Sequence, residues 1–153
     1  MNKENYNAIM ESVNGEALGD VKSIRIFKVI ALEEVNRNAL LLVLQEDINF
    51  ALQILGEPEE ILCQSVNLEK SIIILKHREC KTTHISVNLF KEEIKPNFKV
   101  EVVGDMGMLD YDSSKNTPVV LSNSDHKKVF SLCAFEEYSP EVKNITEKVM
   151  ENL

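Results

Sequence analysis

The stretch Thr82-Thr83-His84-Ile85-Ser86-Val87-Asn88-Leu89-Phe90 carries the plainest statement of this chain's fold. Thr83, Ile85, Val87 and Leu89 alternate with Thr82, His84, Ser86 and Asn88. A period of two is the mark of a strand with one face toward a core and the other away from it. Working outward, the same rhythm runs through Ile61 to Leu68, Ser71 to His77, Phe98 to Val103 and Met108 to Tyr111. Only short polar turns separate these segments. Parallel strands need crossovers of about a dozen residues, so the spacing predicts an antiparallel meander. Val119 to Ser122 and Lys128 to Phe135 add two candidate edge strands.

Helical patterns flank these strands. Tyr6, Ile9, Met10 and Val13 fall at helical spacing within Lys3 to Val13, and the Gly15 and Gly19 region ends that element. Val21 to Ala31 is rich in β-branched residues and reads as a further strand. Asn36 to Leu55 reads as a helix closed by Gly56, with Pro58 shortly beyond. Its middle, Ala39 to Leu44, is apolar on all sides, which predicts the most buried part of the domain. A last helix starts near Pro140, with Ser139 as N-cap and Val142, Ile145, Val149 and Leu153 as its apolar stripe. The expected class is α+β: one domain over residues 1–153, an open, mainly antiparallel sheet with helices on one face.

The chain has 153 residues, of which 44% are hydrophobic and 27% charged, an ordinary globular composition. A chain of this length buries enough surface to form a core without disulfides or metals. Against 25 acidic residues stand 17 basic ones, a formal net charge of −8. With no basic stripe anywhere, nucleic acid and anionic membrane are not expected partners. Cys63, Cys80 and Cys133 are widely spaced, odd in number and form no CxxC pair, so no metal site is expected. Met1 to Asn7 is polar, and the longest apolar run, Ala39 to Leu44, is too short to span a bilayer. These features predict a reduced, cytoplasmic protein.

Few residues suggest chemistry. Neither GxGxxG nor GxxxxGK[ST] occurs, so no loop is expected to cradle phosphates. Gly104-Asp105-Met106-Gly107 reads as a hairpin turn with glycines at positive φ. His77, His84 and His126 have no local link to a serine or cysteine nucleophile, and His84 falls on the polar face of its strand. The cluster Glu46-Asp47-Ile48-Asn49 puts Glu46 and Asn49 on one helix face. There they would bind a polyol by hydrogen bonds, or simply mark a turn emerging into solvent. Glu46, Asn49 and His84 are the candidate ligand-binding residues.

Three segments together resemble the Gfo/Idh/MocA family (glucose–fructose oxidoreductase, inositol dehydrogenase and relatives). Glu46-Asp47-Ile48-Asn49-Phe50-Ala51-Leu52-Gln53-Ile54-Leu55-Gly56-Glu57-Pro58 is similar to the signature H-D-I-D-x-A-x-W-L-L-G-x-P. Phe98 to Tyr111 resembles the strand pair F-x-V-x-G-x-x-G-x-L, and Glu16 to Arg25 the segment G-x-L-G-x-I-x-x-V. The resemblance implies the C-terminal α/β domain of these enzymes, without the nucleotide-binding Rossmann half. It also implies that the catalytic histidine is replaced by Glu46, the following aspartate by Asn49 and an upstream aspartate by Leu42. No catalytic residue and no cofactor are therefore expected in this chain.

What the resemblance implies about function is a non-catalytic relative acting by assembly. Family members commonly associate through the exposed sheet face, so the strands from Ile72 to Val103 are expected to form a homodimer interface. A dehydrogenase would be a further partner, with the chain as accessory subunit. The alternative is a split enzyme, in which a separate Rossmann protein supplies the cofactor and Glu46 and Asn49 face the substrate. Leu40, Leu41 and Leu42 discriminate the two readings: packed in the core they leave no cleft, and lining an open groove they favour the split enzyme. A third reading is a folded relic with no activity.

Overall fold

A computed structural model describes residues 3–91, 95–114, 119–122 and 138–151. Helix α1 (Lys3–Asn14) leads into strand β1 (Val21–Ala31) and helix α2 (Arg37–Leu55). Strands β2 (Glu60–Asn67), β3 (Lys70–Lys76), β4 (Thr82–Phe90), β5 (Asn97–Gly104), β6 (Gly107–Asp112) and β7 (Val119–Ser122) follow, and α3 (Pro140–Glu151) comes last. The ends of α2 follow local chemistry. Asn36 caps it by accepting a hydrogen bond from the Ala39 amide at 2.9 Å. Gly56 ends it at φ 73°, its N–H bonded to the Leu52 carbonyl. The candidate strand Lys128 to Phe135 lies outside the described residues.

All seven strands join one sheet in the order β2-β3-β4-β1-β5-β6-β7. Every neighbouring pair is antiparallel except β1 and β4, which run parallel. The expected meander is thus corrected: β1 is inserted between β4 and β5. Ile24 and Ile26 of β1 are fully or almost fully buried. A strand this apolar is best satisfied at the centre, where both of its hydrogen-bonding edges are paired.

Alternation sorts the strands into two faces. Ile73, Leu75, Ile85, Val87, Leu89, Val100 and Val102 point toward the helices and are buried. α2 lies against β1 and β4, α3 against α2 and β2, and α1 joins them through the edge-to-face contact of Tyr6 with Phe50. On the other face Phe27, Leu62 and Ile72 are exposed, and no described helix covers them. The most buried part of α2 is Asp47 to Ala51, not the predicted Ala39 to Leu44, where Leu42 is 63% exposed. The apolar run wraps right round the helix, but only one side of it meets the sheet. None of the described helices is long and apolar enough to cross a membrane.

The turn at Gly104 to Gly107 joins β5 and β6 as predicted, but for a different reason. Positive φ falls at Gly19 and Gly56 instead. A Cβ on Gly104 would lie 1.9 Å from the Leu18 carbonyl oxygen, so this glycine is required by close approach of backbone. There the loop between α1 and β1 is clamped to the hairpin: Met106 N donates to Leu18 O and Asp105 N to Asp20 O, each at 3.1 Å.

Candidate functional site

On β1 the inward positions are 24, 26, 28 and 30, and at 28 stands a lysine. Lys28 is 4% exposed, and in register its neighbours are Val87 of β4 and Phe98 of β5. Its ammonium lies 2.5 Å from Glu46 Oε2 and 2.6 Å from Asp47 Oδ1, both on α2. The Phe98 ring adds a cation–π contact at 5.0 Å. The sheet thus supplies one cation and the helix two carboxylates.

One ammonium cannot neutralise two buried carboxylates equally. Burial alone would lower the Lys28 pKa, but Asp47 and Glu46 outweigh it and hold the pKa above its ordinary value. Burial alone would raise the Glu46 pKa, and Lys28 reverses that and lowers it. Asp47 is fully buried, and its desolvation exceeds the attraction of Lys28, so its pKa is pushed up to about 6. Neither Asp47 oxygen has a hydrogen-bond partner of good geometry among the described residues. Its contact with Lys28 is an ion pair only. The cluster is best described as a Lys28–Glu46 pair with Asp47 beside it as an acid that titrates near neutrality. Tyr138 closes the group, its hydroxyl pKa raised by burial and by the charge of Glu46.

Further along α2, Gln53 Nε2 donates to Asn49 Oδ1 at 3.4 Å, and the Tyr6 hydroxyl of α1 donates to Gln53 Oε1. Burial raises the Tyr6 pKa, so this donor keeps its proton. Polar groups of this helix ridge therefore bond within the chain: Glu46 to Lys28, Asn49 to Gln53, Gln53 to Tyr6.

Glu46 and Asn49 do share one ridge, as their spacing predicted. His84 does not join them, because it points out from the opposite face of the sheet, beside Arg25 and Glu101. The reading of Glu46-Asp47-Ile48-Asn49 as a turn emerging into solvent is corrected: Asp47, Ile48 and Asn49 are buried. Leu40 is buried, Leu41 half-buried and Leu42 exposed, so the three leucines neither fill the core together nor line one groove. His77 is a structural residue, its Nδ1 2.9 Å from Gly56 O and its Nε2 3.0 Å from Thr83 Oγ1, which ties the end of α2 to β4. His126 and Cys133 lie outside the described residues. Sequence reasoning missed Lys28, Tyr6 and Gln53. For Lys28 the signal was present: a cation in phase with Ile24, Ile26 and Ile30 on a strand whose inward face is apolar. Among the described residues no group of His, Cys, Asp or Glu side chains is disposed to hold a metal ion.

No protein-family model and no curated protein matches the sequence. Solved structures do. A Thermotoga maritima protein assigned as an oxidoreductase superposes with a TM-score of 0.68 at 8% identity, over 97% of this chain and 56% of that one. Biliverdin reductase from Synechocystis, solved with biliverdin and NADP+, gives 0.65 at 13% identity over 95% and 50%. A UDP-N-acetylglucosamine 3-dehydrogenase from Acidithiobacillus ferrooxidans gives 0.63 at 10% identity over 96% and 48%. The chain has the fold of a Gfo/Idh/MocA C-terminal domain. At these identities the likeness is one of fold, and the chain spans about half the length of the structures that it matches. Within the Gfo/Idh/MocA pattern, the position that the sequence resemblance gives to the catalytic histidine is Glu46, held by Lys28. The described residues offer no cradle for a dinucleotide: the one close glycine pair is the β5–β6 turn, and Gly104 is filled by the Leu18 carbonyl.

Proposed function

We propose that this chain is an oxidoreductase-related domain that performs no hydride transfer by itself and works by assembly through its open sheet face. One observation carries the first half: Glu46, at the position that the sequence resemblance gives to the catalytic histidine, is locked 2.5 Å from a buried ammonium. A carboxylate whose pKa is lowered by such a partner is a poor proton acceptor near neutral pH. The second half rests on exposed Phe27, Leu62 and Ile72, which lie on one face of a single sheet with no described helix over them. The strands expected to form this face are joined by the central strand β1, which contributes Arg25 and Phe27.

Sedimentation equilibrium on the purified chain tests the assembly half: a dimer at micromolar concentration supports it, and a monomer at 100 µM or above, roughly the weak limit for specific association, overturns it. The alternative, a split enzyme, would set a separate Rossmann protein against the exposed Leu42 of α2, but Leu40 to Leu42 do not line the single groove that reading called for. Melting temperature against NAD(H), NADP(H), polyols and sugar phosphates separates the readings. A ligand at a hundred times its dissociation constant adds about 2.7 kcal/mol of stability. A rise with a nucleotide would defeat the non-catalytic reading, and a rise with a polyol alone would make the domain a ligand-binding accessory.

A further inference from the structure

We infer that a depression on the open sheet face binds an apolar α-amino acid, with Arg25 holding its carboxylate, Glu101 its ammonium, and Phe27 and Ile72 its side chain. This goes beyond the assembly reading above and does not rest on it.

Cross-strand register builds the depression from two rows of outward side chains. In one row His84, Arg25 and Glu101 are successive ladder partners on β4, β1 and β5. In the next row Ile72, Ser86, Phe27 and Lys99 follow one another on β3, β4, β1 and β5. Ile26 and Ile85, paired between the rows, form the floor. The space enclosed is about 410 Å³, within the range of small-molecule sites. The first row supplies the ionic heads and the second the apolar surface, where Phe27 is 38% and Ile72 47% exposed. Two residues along a strand separate the rows by about 7 Å. A phenylalanine side chain covers that distance from its α-carbon.

Charge selects the ligand. Arg25 Nη1 lies 3.5 Å from Glu101 Oε2, beyond ordinary hydrogen-bond range, with the arginine side chain 68% exposed and the glutamate 37%. Among the described residues neither group has another ion-pair partner. Lys99 differs, since Asp112 already matches its charge at 3.1 Å. A simple anion on Arg25 would leave Glu101 without a cation, and a simple cation on Glu101 would leave Arg25 without an anion. A zwitterion satisfies both. Its carboxylate meets the guanidinium fork and its ammonium meets the glutamate, which closes a ring of four alternating charges. The formal net charge of −8 acts in the same direction, because it disfavours a ligand with net negative charge.

The test is an NMR titration of the nitrogen-15-labelled chain with L-phenylalanine. Binding with a dissociation constant of roughly 1 mM or tighter is expected, with amide shifts grouped around Arg25, Phe27, Ser86 and Glu101. Phenylpropionate lacks the ammonium and phenethylamine lacks the carboxylate. Each should bind about tenfold or more weakly, because each leaves one charged group unmatched. In Arg25→Gln, phenylalanine should lose its advantage over phenethylamine, and in Glu101→Gln its advantage over phenylpropionate. A general fold defect would not sort the ligands in this way, and far-UV circular dichroism checks the fold of each variant. No shift at about 10 mM phenylalanine, a hundred-fold weaker limit than a 100 µM site, overturns the inference. Shifts grouped elsewhere, or an analogue that binds wild type as tightly as phenylalanine, also overturn it. Sedimentation of the unliganded chain judges the assembly reading separately, so either can fail while the other stands.

Discussion

Replacing Lys28 with methionine would remove the buried ammonium that Glu46 and Asp47 share. Breaking a buried ion pair from one side costs about 3–5 kcal/mol, and chemical denaturation of Lys28→Met at neutral pH should show a loss of that size. Substituting all three groups by apolar residues of similar volume should recover most of it, because no charge then remains to be desolvated. Asp47 adds a pH dependence of definite sign. Its pKa is about 6 in the fold against an ordinary value of 3.8. A raised folded pKa contributes stability that is fully present below 3.8 and is lost as pH rises through about 6. The window corresponds to about 3 kcal/mol, and Asp47→Asn should remove that slope from the stability profile. His77 acts in the opposite direction: burial lowers its pKa, so its contribution is present above its ordinary value of 6.5 and fades on acidification.

Two connections between elements illustrate different uses of the backbone. Between β3 and β4, Glu79 and Cys80 both adopt left-handed conformations, at φ 56° and 60°. With Lys81 N bonded to Arg78 O, they occupy the central positions of a primed turn, where glycine and asparagine are favoured. Cys80→Gly should stabilise the hairpin by about 1 kcal/mol, read as a melting temperature higher by about 2–4 °C. At Gly104 the sign is reversed. A Cβ there would meet the Leu18 carbonyl, a backbone atom that cannot rotate away, so Gly104→Ala should cost about 1–3 kcal/mol and loosen the clamp between the α1–β1 loop and the β5–β6 hairpin. Amide hydrogen exchange at Asp105 and Met106, whose N–H groups make that clamp, would report the loosening directly.

At the scale of the whole molecule the sheet is amphipathic: one face carries a continuous core under α2 and α3, and the other carries a neutralised, partly apolar surface. Ile72 is 47% exposed on that surface, on β3 beside the edge strand β2. Under the proposed assembly, Ile72→Asp should weaken self-association while leaving the monomer's unfolding midpoint nearly unchanged, since surface substitutions usually shift stability by no more than about 0.5 kcal/mol. Sedimentation and denaturation on the same variant check both parts. The seven-strand order also gives the candidate site its shape, because inserting β1 at the centre is what carries Lys28 beneath α2 and Arg25 to the opposite face.

Local pattern by itself determined the elements. β1 and β4 have the bounds that their β-branched and alternating residues predicted, and α2 stops at Gly56, where the glycine and the nearby proline end helical geometry. Period two also assigned each strand residue to a face, placing His84 outside and Ile85 inside. The strand order was illegible, because which edges pair depends on contacts distant in sequence, and β1 is separated from β4 by α2 and a hairpin. The candidate site was half legible. The spacing of Glu46 and Asn49 on one ridge is a property of the helix, whereas their partners Lys28 and Gln53, and the burial of Asp47, depend on which side of α2 meets the sheet. An apolar run such as Ala39 to Leu44 cannot say which of its sides is covered; only the packed sheet decides that.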